Sequence, residues 1–528
     1  MKLRGIVAAV VLVLIAFVGV VVWRLPITSD RLRAKVIETL SDRLDSDVEL
    51  SSLAVRAFPR LHAEGGGLTI KRRGQGGRPP LISVKSFTVD GDLLGLYRKH
   101  VGRVELVGLD IQIPPKNDEA SQDKTDGEQT AGPGRPGPTA EKDSQPGSGR
   151  SSKGGIVVDS MVTTDARLVI IPRESDKSPK VWNIHKLHMT SVGAETAMPF
   201  EATLTNAIPP GEIETSGRFG PWEREEPGAT PLDGIFSFAK ADLSVFKGIS
   251  GILSAHGTFG GKLERIDIHG ETSTPDFTVA VGGHPVPLNT KYHSQVDGTN
   301  GNTILERIDA SFLNTAIVAK GAVIDLPGDP GRQVSMNVTI DRGRLEDLLK
   351  LAVKTPTPPM QGALKLSTRF ILPPGDKDVV EKLQLKGQFS IAGGRFTSDE
   401  VQQKINDLSR RGRGKPAAAP QQVASDFKGD FSLANGVLGL PKVSFSVPGA
   451  GVNLTGQYAL RRETLGFKGE LTMDATVSEA AGGGLKGRLL KVMDPIFQKN
   501  GRTVIPIKIT GTRQAPAFGL DAGALFKK

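Results

Sequence analysis

Between Ser444 and Met473 the chain reads SFSVPGAGVNLTGQYALRRETLGFKGELTM, with apolar residues on alternate positions. Val443, Phe445 and Val447 form the first set, and Val452, Leu454, Tyr458 and Leu460 the second. Leu465, Phe467, Leu471 and Met473 form the third. A period of two is that of β-strands with one apolar and one polar face. Pro448 to Gly451 and Arg461-Arg462 punctuate the run as turns. Such strands need a cover for the apolar face: a second sheet, a helix, or something other than protein.

The same alternation recurs along most of the sequence. It predicts strands at Val48 to Val55, Leu68 to Lys71, Leu81 to Val89 and Val104 to Ile113. Further strands are predicted from Ile156 to about Asp341, among them Ala166 to Ile171, Ile252 to Phe259, Ile304 to Phe312 and Ala316 to Ile324. Ala363 to Leu372, Leu383 to Ile391, Phe427 to Leu433 and Val504 to Thr510 complete the set, with Gly, Pro and Asn/Asp marking turns. Helical spacing is confined to a few places. Ser29 or Asp30 opens a helix with Leu32, Val36, Ile37, Leu40 and Leu44 on one face, expected to cap the end of a sheet. Leu93 to Tyr97, Arg344 to Val353, Asp399 to Arg411 and Leu485 to Gln498 are the others. The last carries Leu489, Val492, Met493, Ile496 and Phe497 as its apolar set. Strands and helices do not alternate, so a parallel α/β enzyme is not expected. The fold class is mainly β, a very long and mostly antiparallel sheet with one apolar face.

A different pattern opens the chain. Residues 5–23 read GIVAAVVLVLIAFVGVVVW without a charge. As a helix they span roughly 28 Å, close to the hydrocarbon thickness of a bilayer. Lys2 and Arg4 precede the run, Arg24 follows it, and Trp23 stands where an interfacial aromatic is expected. The competing reading is a cleavable signal peptide, with a shorter apolar core and a small-x-small site. WRLPITSD offers no such site, which favours an uncleaved anchor. The basic tip, residues 1–4, then stays in the cytoplasm and the bulk of the chain lies on the far side of the membrane.

Residues 116–155 contain no Ile, Leu, Val, Met, Phe, Trp or Tyr and are expected to form a disordered tether. The expected organisation is an N-terminal helix and β segment at 25–115, that linker, a central β segment at 156–383, a C-terminal β segment with helix at 384–521, and a tail at 522–528.

Composition narrows the chemistry. The 63 Gly and 35 Pro favour many turns and short strands. The net charge of +10 is spread out and lacks interleaved aromatics, so it points to an anionic membrane surface at least as well as to nucleic acid, which is not expected as a partner. The absence of cysteine excludes disulfides, thiolate metal sites and cysteine nucleophiles. No P-loop, GxSxG or HExxH motif is present. His185 and His188 form an HxxH, but residues three apart on a strand point to opposite faces, against shared metal ligation. Arg411 to Lys415 reads RGRGK, a solvated basic loop by default. Glu381, Asp399, Glu400 and Asp474 are too far apart in sequence to select a carboxylate pair. Gly482 to Gly484 lacks the companions of a dinucleotide fingerprint. No catalytic residue, metal or cofactor is expected.

Several stretches in order resemble the AsmA-like proteins of Gram-negative-type envelopes. After the anchor and helix comes VELSSLAVRAFPRLHAEGGGLTI, with Phe58-Pro59 in the place of that family's aromatic-proline element. PPLISVKSFTVDGDLLGLYRKHVGRVELVGLDIQIP looks like its strand, short helix, strand sequence. GTFGGKLERIDIHGETSTPDFTV resembles a further recurring element, and VIPIKITGTRQAPAF the closing strand, with Gly511-Thr512 and Pro516 its most recognisable positions. The polar insertion at 116–155 departs from the family pattern. The resemblance implies an elongated, open β-groove anchored in the inner membrane and projecting into the periplasm. It also implies a role in moving phospholipids toward the outer membrane, without catalysis.

The expected function is accordingly a non-enzymatic carrier whose groove shields phospholipid acyl chains. Its partners are phospholipids, the inner membrane and an outer-membrane or periplasmic protein. The alternative is an assembly factor for outer-membrane proteins that engages clients by β-strand addition. A secreted β-solenoid would need strict short repeats, which the sequence lacks.

Overall fold

The computed structural model describes residues 29–44, 46–56, 60–72, 80–113, 157–170, 180–193, 195–223, 226–326, 331–416, 422–482 and 489–521. Among them no helix is long and apolar enough to cross a membrane. The expected anchor and its flanks Lys2, Arg4, Trp23 and Arg24 lie outside the described residues, as do the linker at 116–155, Phe58-Pro59 and the tail at 522–528. The chain divides into two compact units, Met1–Ile208 with Ile213–Pro231, and Pro209–Glu212 with Leu232–Lys528. The boundary expected at 383/384 lies within the second unit, where the strands on either side of it pair directly. Each unit is a mostly antiparallel sheet with few helices.

The first unit opens with helix α1 (Ser29–Leu44), then β1 (Ser46–Glu49), β2 (Ser52–Arg56), β3 (Leu61–Arg72) and β4 (Ile82–Gly91). A short α2 (Leu93–Tyr97) leads into β5 (His100–Ile113), β6 (Val157–Ile170), β7 (Lys180–Val192), β8 (Met198–Thr205) and β9 (Glu212–Phe219). The strand expected at Val48 to Val55 is two strands, both pairing with β3. Val36 and Leu40 of α1 are buried with Val48, Leu53, Leu61, Ile82, Val84 and Val89, so the helix covers the apolar face as a cap. In this unit, then, protein covers protein.

One pairing breaks the antiparallel rule: β5 and β6 run parallel, from His100 opposite Val157 to Ile113 opposite Ile170. A parallel pair needs a crossover that carries the chain back along the strand, here about 45 Å for strands of this length. Residues 114–156 make that connection, which gives the polar insertion a topological reason.

The second unit begins with β10 (Pro231–Asp242), β11 (Ile249–Ser250), β12 (Ile252–Lys262), β13 (Arg265–Val279) and β14 (Val286–Val296). β15 (Thr303–Phe312), β16 (Thr315–Asp325) and β17 (Arg332–Arg344) follow. Helix α3 (Leu345–Ala352) precedes β18 (Met360–Leu372), and α4 (Val379–Lys382) precedes β19 (Gln384–Phe396). Helix α5 (Asp399–Gly412) leads to the hairpins of β20 (Ser425–Ala434), β21 (Val437–Val447), β22 (Ala450–Ala459) and β23 (Thr464–Met473). The chain closes with α6 (Val477–Ala480), α7 (Asp494–Phe497), β24 (Gln498–Lys499), β25 (Arg502–Thr512) and β26 (Pro516–Leu520). From β12 to β23 each strand pairs antiparallel with the next in sequence, and β23 continues to β25 and β26. The β21–β22 turn is the two residues Pro448 and Gly449, and Gly449 takes φ +87, a conformation that favours glycine.

The helix expected over Leu485 to Gln498 is not continuous within the described residues. A single 3-10 turn at Lys491–Met493 joins α7, which begins at Asp494 with Pro495 in its first turn. Pro495 lacks the N–H that would continue the upstream hydrogen-bond ladder.

Candidate functional site

Residues directly opposite in a sheet share a face, so the register of the second unit can be followed across it. Leu366, Phe389, Gly429, Val443, Leu454, Gly469, Ile507 and Leu520 are successive cross-strand partners from β18 to β26. A neighbouring row runs Leu364, Ile391, Phe427, Phe445, Val452, Leu471 and Ile505. Nearer the β22–β23 turn, Leu438, Tyr458, Leu465 and Gly511 form a third. The same face continues upstream through Gly270, Tyr292, Ile308, Ala319 and Val338. On the reverse face the register brings together Lys428, Ser444, Asn453 and Glu470. One face is therefore aliphatic and aromatic over many strands, and the reverse-face row from β20 to β23 is polar and charged.

The rows differ in what covers them. Phe445, Val447 and Met473 are buried with Ala450, Val423 and Ala480, and Ile405 and Leu408 of α5 pack on the cluster. Val452 and Leu471 are partly buried against it. Next to it, Met360, Leu364 and Ile391 lie under Leu345, Leu348 and Leu349 of α3. Polar bonds fix α5 there: Ser409 Oγ donates to the Pro448 carbonyl at 2.7 Å, and Gln402 Nε2 donates to the Val423 carbonyl at 3.0 Å. The turn expected at Pro448 is thus the helix's attachment point. Phe445, Val447 and Met473 are packed against protein at one end of the strands.

Val443, Leu454, Tyr458, Leu465 and Phe467 belong to none of these clusters. They are half-buried, shielded along the face by their own neighbours. Leu460 lies in the turn after β22, its N–H donating to the Gly436 carbonyl at 2.9 Å. Leu366, Ile507 and Ile509 belong to the same face and were not singled out from sequence, although the alternation in their strands carried the signal.

Burial raises the Tyr458 phenol above its ordinary 10.0; Glu463 adds to the rise and Arg513 opposes it. Burial likewise raises the Tyr292 phenol. Both hydroxyls stay neutral at physiological pH, so the face acquires no charge from them.

The remaining candidates do not converge. His185 Nε2 lies 2.8 Å from Thr205 Oγ1 on β8 and His188 Nε2 3.2 Å from Ser160 Oγ on β6, on the two sides of β7. Among the described residues no group of three His, Asp or Glu is placed to hold a metal ion. Arg411 pairs with Asp407 at 2.8 Å at the end of α5, so this part of RGRGK is helix rather than loop. Glu381 pairs with Arg461, Glu400 with Lys404, and Asp474 with Arg502, each at a separate place.

Comparison with protein-family models, with characterised proteins and with solved structures finds no match to this chain.

Proposed function

We propose that the apolar face of the second unit is a lipid-conducting groove. The chain would be a non-enzymatic envelope protein, anchored in the inner membrane through residues 5–23. Its periplasmic part would shield phospholipid acyl chains on their way to the outer membrane, as the resemblance to AsmA-like proteins implies. The observation that carries this reading is the row Leu366, Val443, Leu454 and Ile507, aligned by register and outside the buried clusters.

The energetics fit. A lipid tail loses roughly 0.8 kcal/mol per CH2 brought into water, so two long tails cost on the order of 20 kcal/mol. A face of Leu, Val, Ile and Phe offsets most of that cost, while headgroups stay in water along an open edge. Repeated weak contacts suit movement better than one tight site. The test is a photo-crosslinking amino acid at Leu454 or Phe467 in cells of a Gram-negative host. Phospholipid adducts support the groove; adducts to this protein alone refute it.

A second reading, an assembly factor acting by β-strand addition, is favoured by β26. All five of its residues are exposed, Phe518 at 75%, and β25 is its one partner among the pairings described. A bare strand edge is a template for another strand. Disulfide capture of a client strand through a cysteine placed at Phe518 distinguishes the two.

A further inference from the structure

Leu489, Val492, Met493 and Ile496 recur at i, i+3, i+4 and i+7, the spacing of a helix stripe that normally faces a core. The backbone at Leu490, Met493 and Asp494 is right-handed helical, so the stripe stays on one side. Here that side faces outward: the four residues are 72%, 79%, 40% and 68% exposed. The inward side holds Phe497, buried, and Asp494, whose carboxylate accepts from the Ser478 N–H at 2.9 Å and the Ser478 hydroxyl at 2.6 Å. These contacts fix the orientation, because turning the aliphatic residues inward would expose Phe497 and break both bonds.

The charges follow the same division. Asp494 is the one carboxylate between residues 489 and 499, and it is committed to Ser478. Lys491 and Lys499, in the same segment, are exposed. Protein interfaces favour aromatics, Met and Arg and are depleted in Lys, and of the favoured types this surface holds Met493 alone. Exposed aliphatics and exposed lysines in one short segment are the composition of a chain lying in a lipid headgroup layer. A second copy of this chain meeting the same surface would set lysines against lysines.

We propose that the surface formed by Leu489, Val492, Met493 and Ile496 docks on an anionic bilayer, the aliphatic side chains entering the headgroup–acyl boundary and Lys491 and Lys499 meeting lipid phosphates. This contact goes beyond the groove and does not depend on it: a chain that carried no lipid on its sheet would still make it.

The chain has no native cysteine, so Val492→Cys gives a single labelling site for an environment-sensitive fluorophore. The experiment uses the full chain in phosphatidylcholine nanodiscs and adds vesicles of mixed phosphatidylglycerol and phosphatidylcholine. The expected result is a blue shift with the mixed vesicles that is much weaker with phosphatidylcholine alone. Lys491→Glu with Lys499→Glu should reduce vesicle affinity about tenfold or more. Ile496→Asp should abolish the shift with the circular dichroism spectrum unchanged. Three results overturn the proposal: no shift with either vesicle, a shift that grows with protein concentration without vesicles, or an equal shift on adding an acidic polypeptide.

Discussion

Phe467 on β23 lies directly opposite Gly456 on β22, its ring in the space a side chain at 456 would need. A methyl group there would stand 2.6 Å from Phe467 Cδ1 and 2.1 Å from the Gly466 carbonyl oxygen. Gly270 and Tyr292 repeat the arrangement on β13 and β14, with a methyl at 270 falling 2.6 Å from the Tyr292 hydroxyl. Glycine opposite an aromatic lets the ring lie along the sheet, which keeps the face low and continuous.

Gly456→Ala is therefore expected to destabilise the second unit by about 1–3 kcal/mol through overpacking. Gly466 has open space at the corresponding position, so Gly466→Ala should change stability by less than about 0.5 kcal/mol. Urea unfolding of the two variants checks the pair, with the midpoint moving and the slope constant.

Leu454 and Phe445 share one face but should respond in opposite ways. Phe445 is 8% exposed beneath α5, and Phe445→Ala should cost about 3–5 kcal/mol. Leu454 lies on the half-open part of the face, and Leu454→Asp should cost no more than about 2 kcal/mol. Its effect is expected on lipid capture by a crosslinker at Phe467, which should be lost in the folded variant. Unfolding by Leu454→Asp would instead identify an ordinary core position.

Asp347 anchors α3, which covers the cluster beside the one under α5. It is 2% exposed and accepts from Thr315 Oγ1 at 2.9 Å and from the Asn314 N–H at 3.0 Å. Thr315 Oγ1 in turn accepts from the Arg344 N–H at 2.9 Å, so one carboxylate organises the turn before β16 and the entry to α3. Asp347→Ala leaves buried donors without partners and should cost about 2–4 kcal/mol in thermal or urea unfolding. Asp347→Asn keeps an acceptor oxygen and should cost less.

The alternation made β20 to β23 and their turns legible, because period two survives any cover. It could not separate Phe445 from Leu454. What distinguishes them is Ile405 and Leu408 of α5, about 40 residues upstream, and the Ser409–Pro448 bond that holds the helix there. Helices α3 and α5 were legible from spacing, whereas the stripe from Leu489 to Ile496 was legible as a face without a direction. Spacing defines a face, and only the Asp494–Ser478 bonds and the burial of Phe497 decide which way it points. The parallel β5–β6 pair was hidden because strand direction depends on the connection, and residues 114–156 carry no periodic signal.

The Asp494–Ser478 bonds also predict a response to acid. Hydrogen bonds from the Ser478 side chain, then its backbone, and the nearby Lys491 charge lower the Asp494 carboxyl from its ordinary 3.8. An acid with a lowered folded-state value binds fewer protons in the folded chain than in the unfolded one. Its stabilisation is present above the unfolded value and is lost as pH falls through the folded value. Residues 489–497 should therefore loosen at or below about pH 4 while remaining ordered at neutral pH. Hydrogen exchange of that segment, corrected for the intrinsic pH dependence, should rise over this window. Ser478→Ala should raise the exchange already at neutral pH and flatten its acid dependence, an outcome not expected if the segment were held by Phe497 alone.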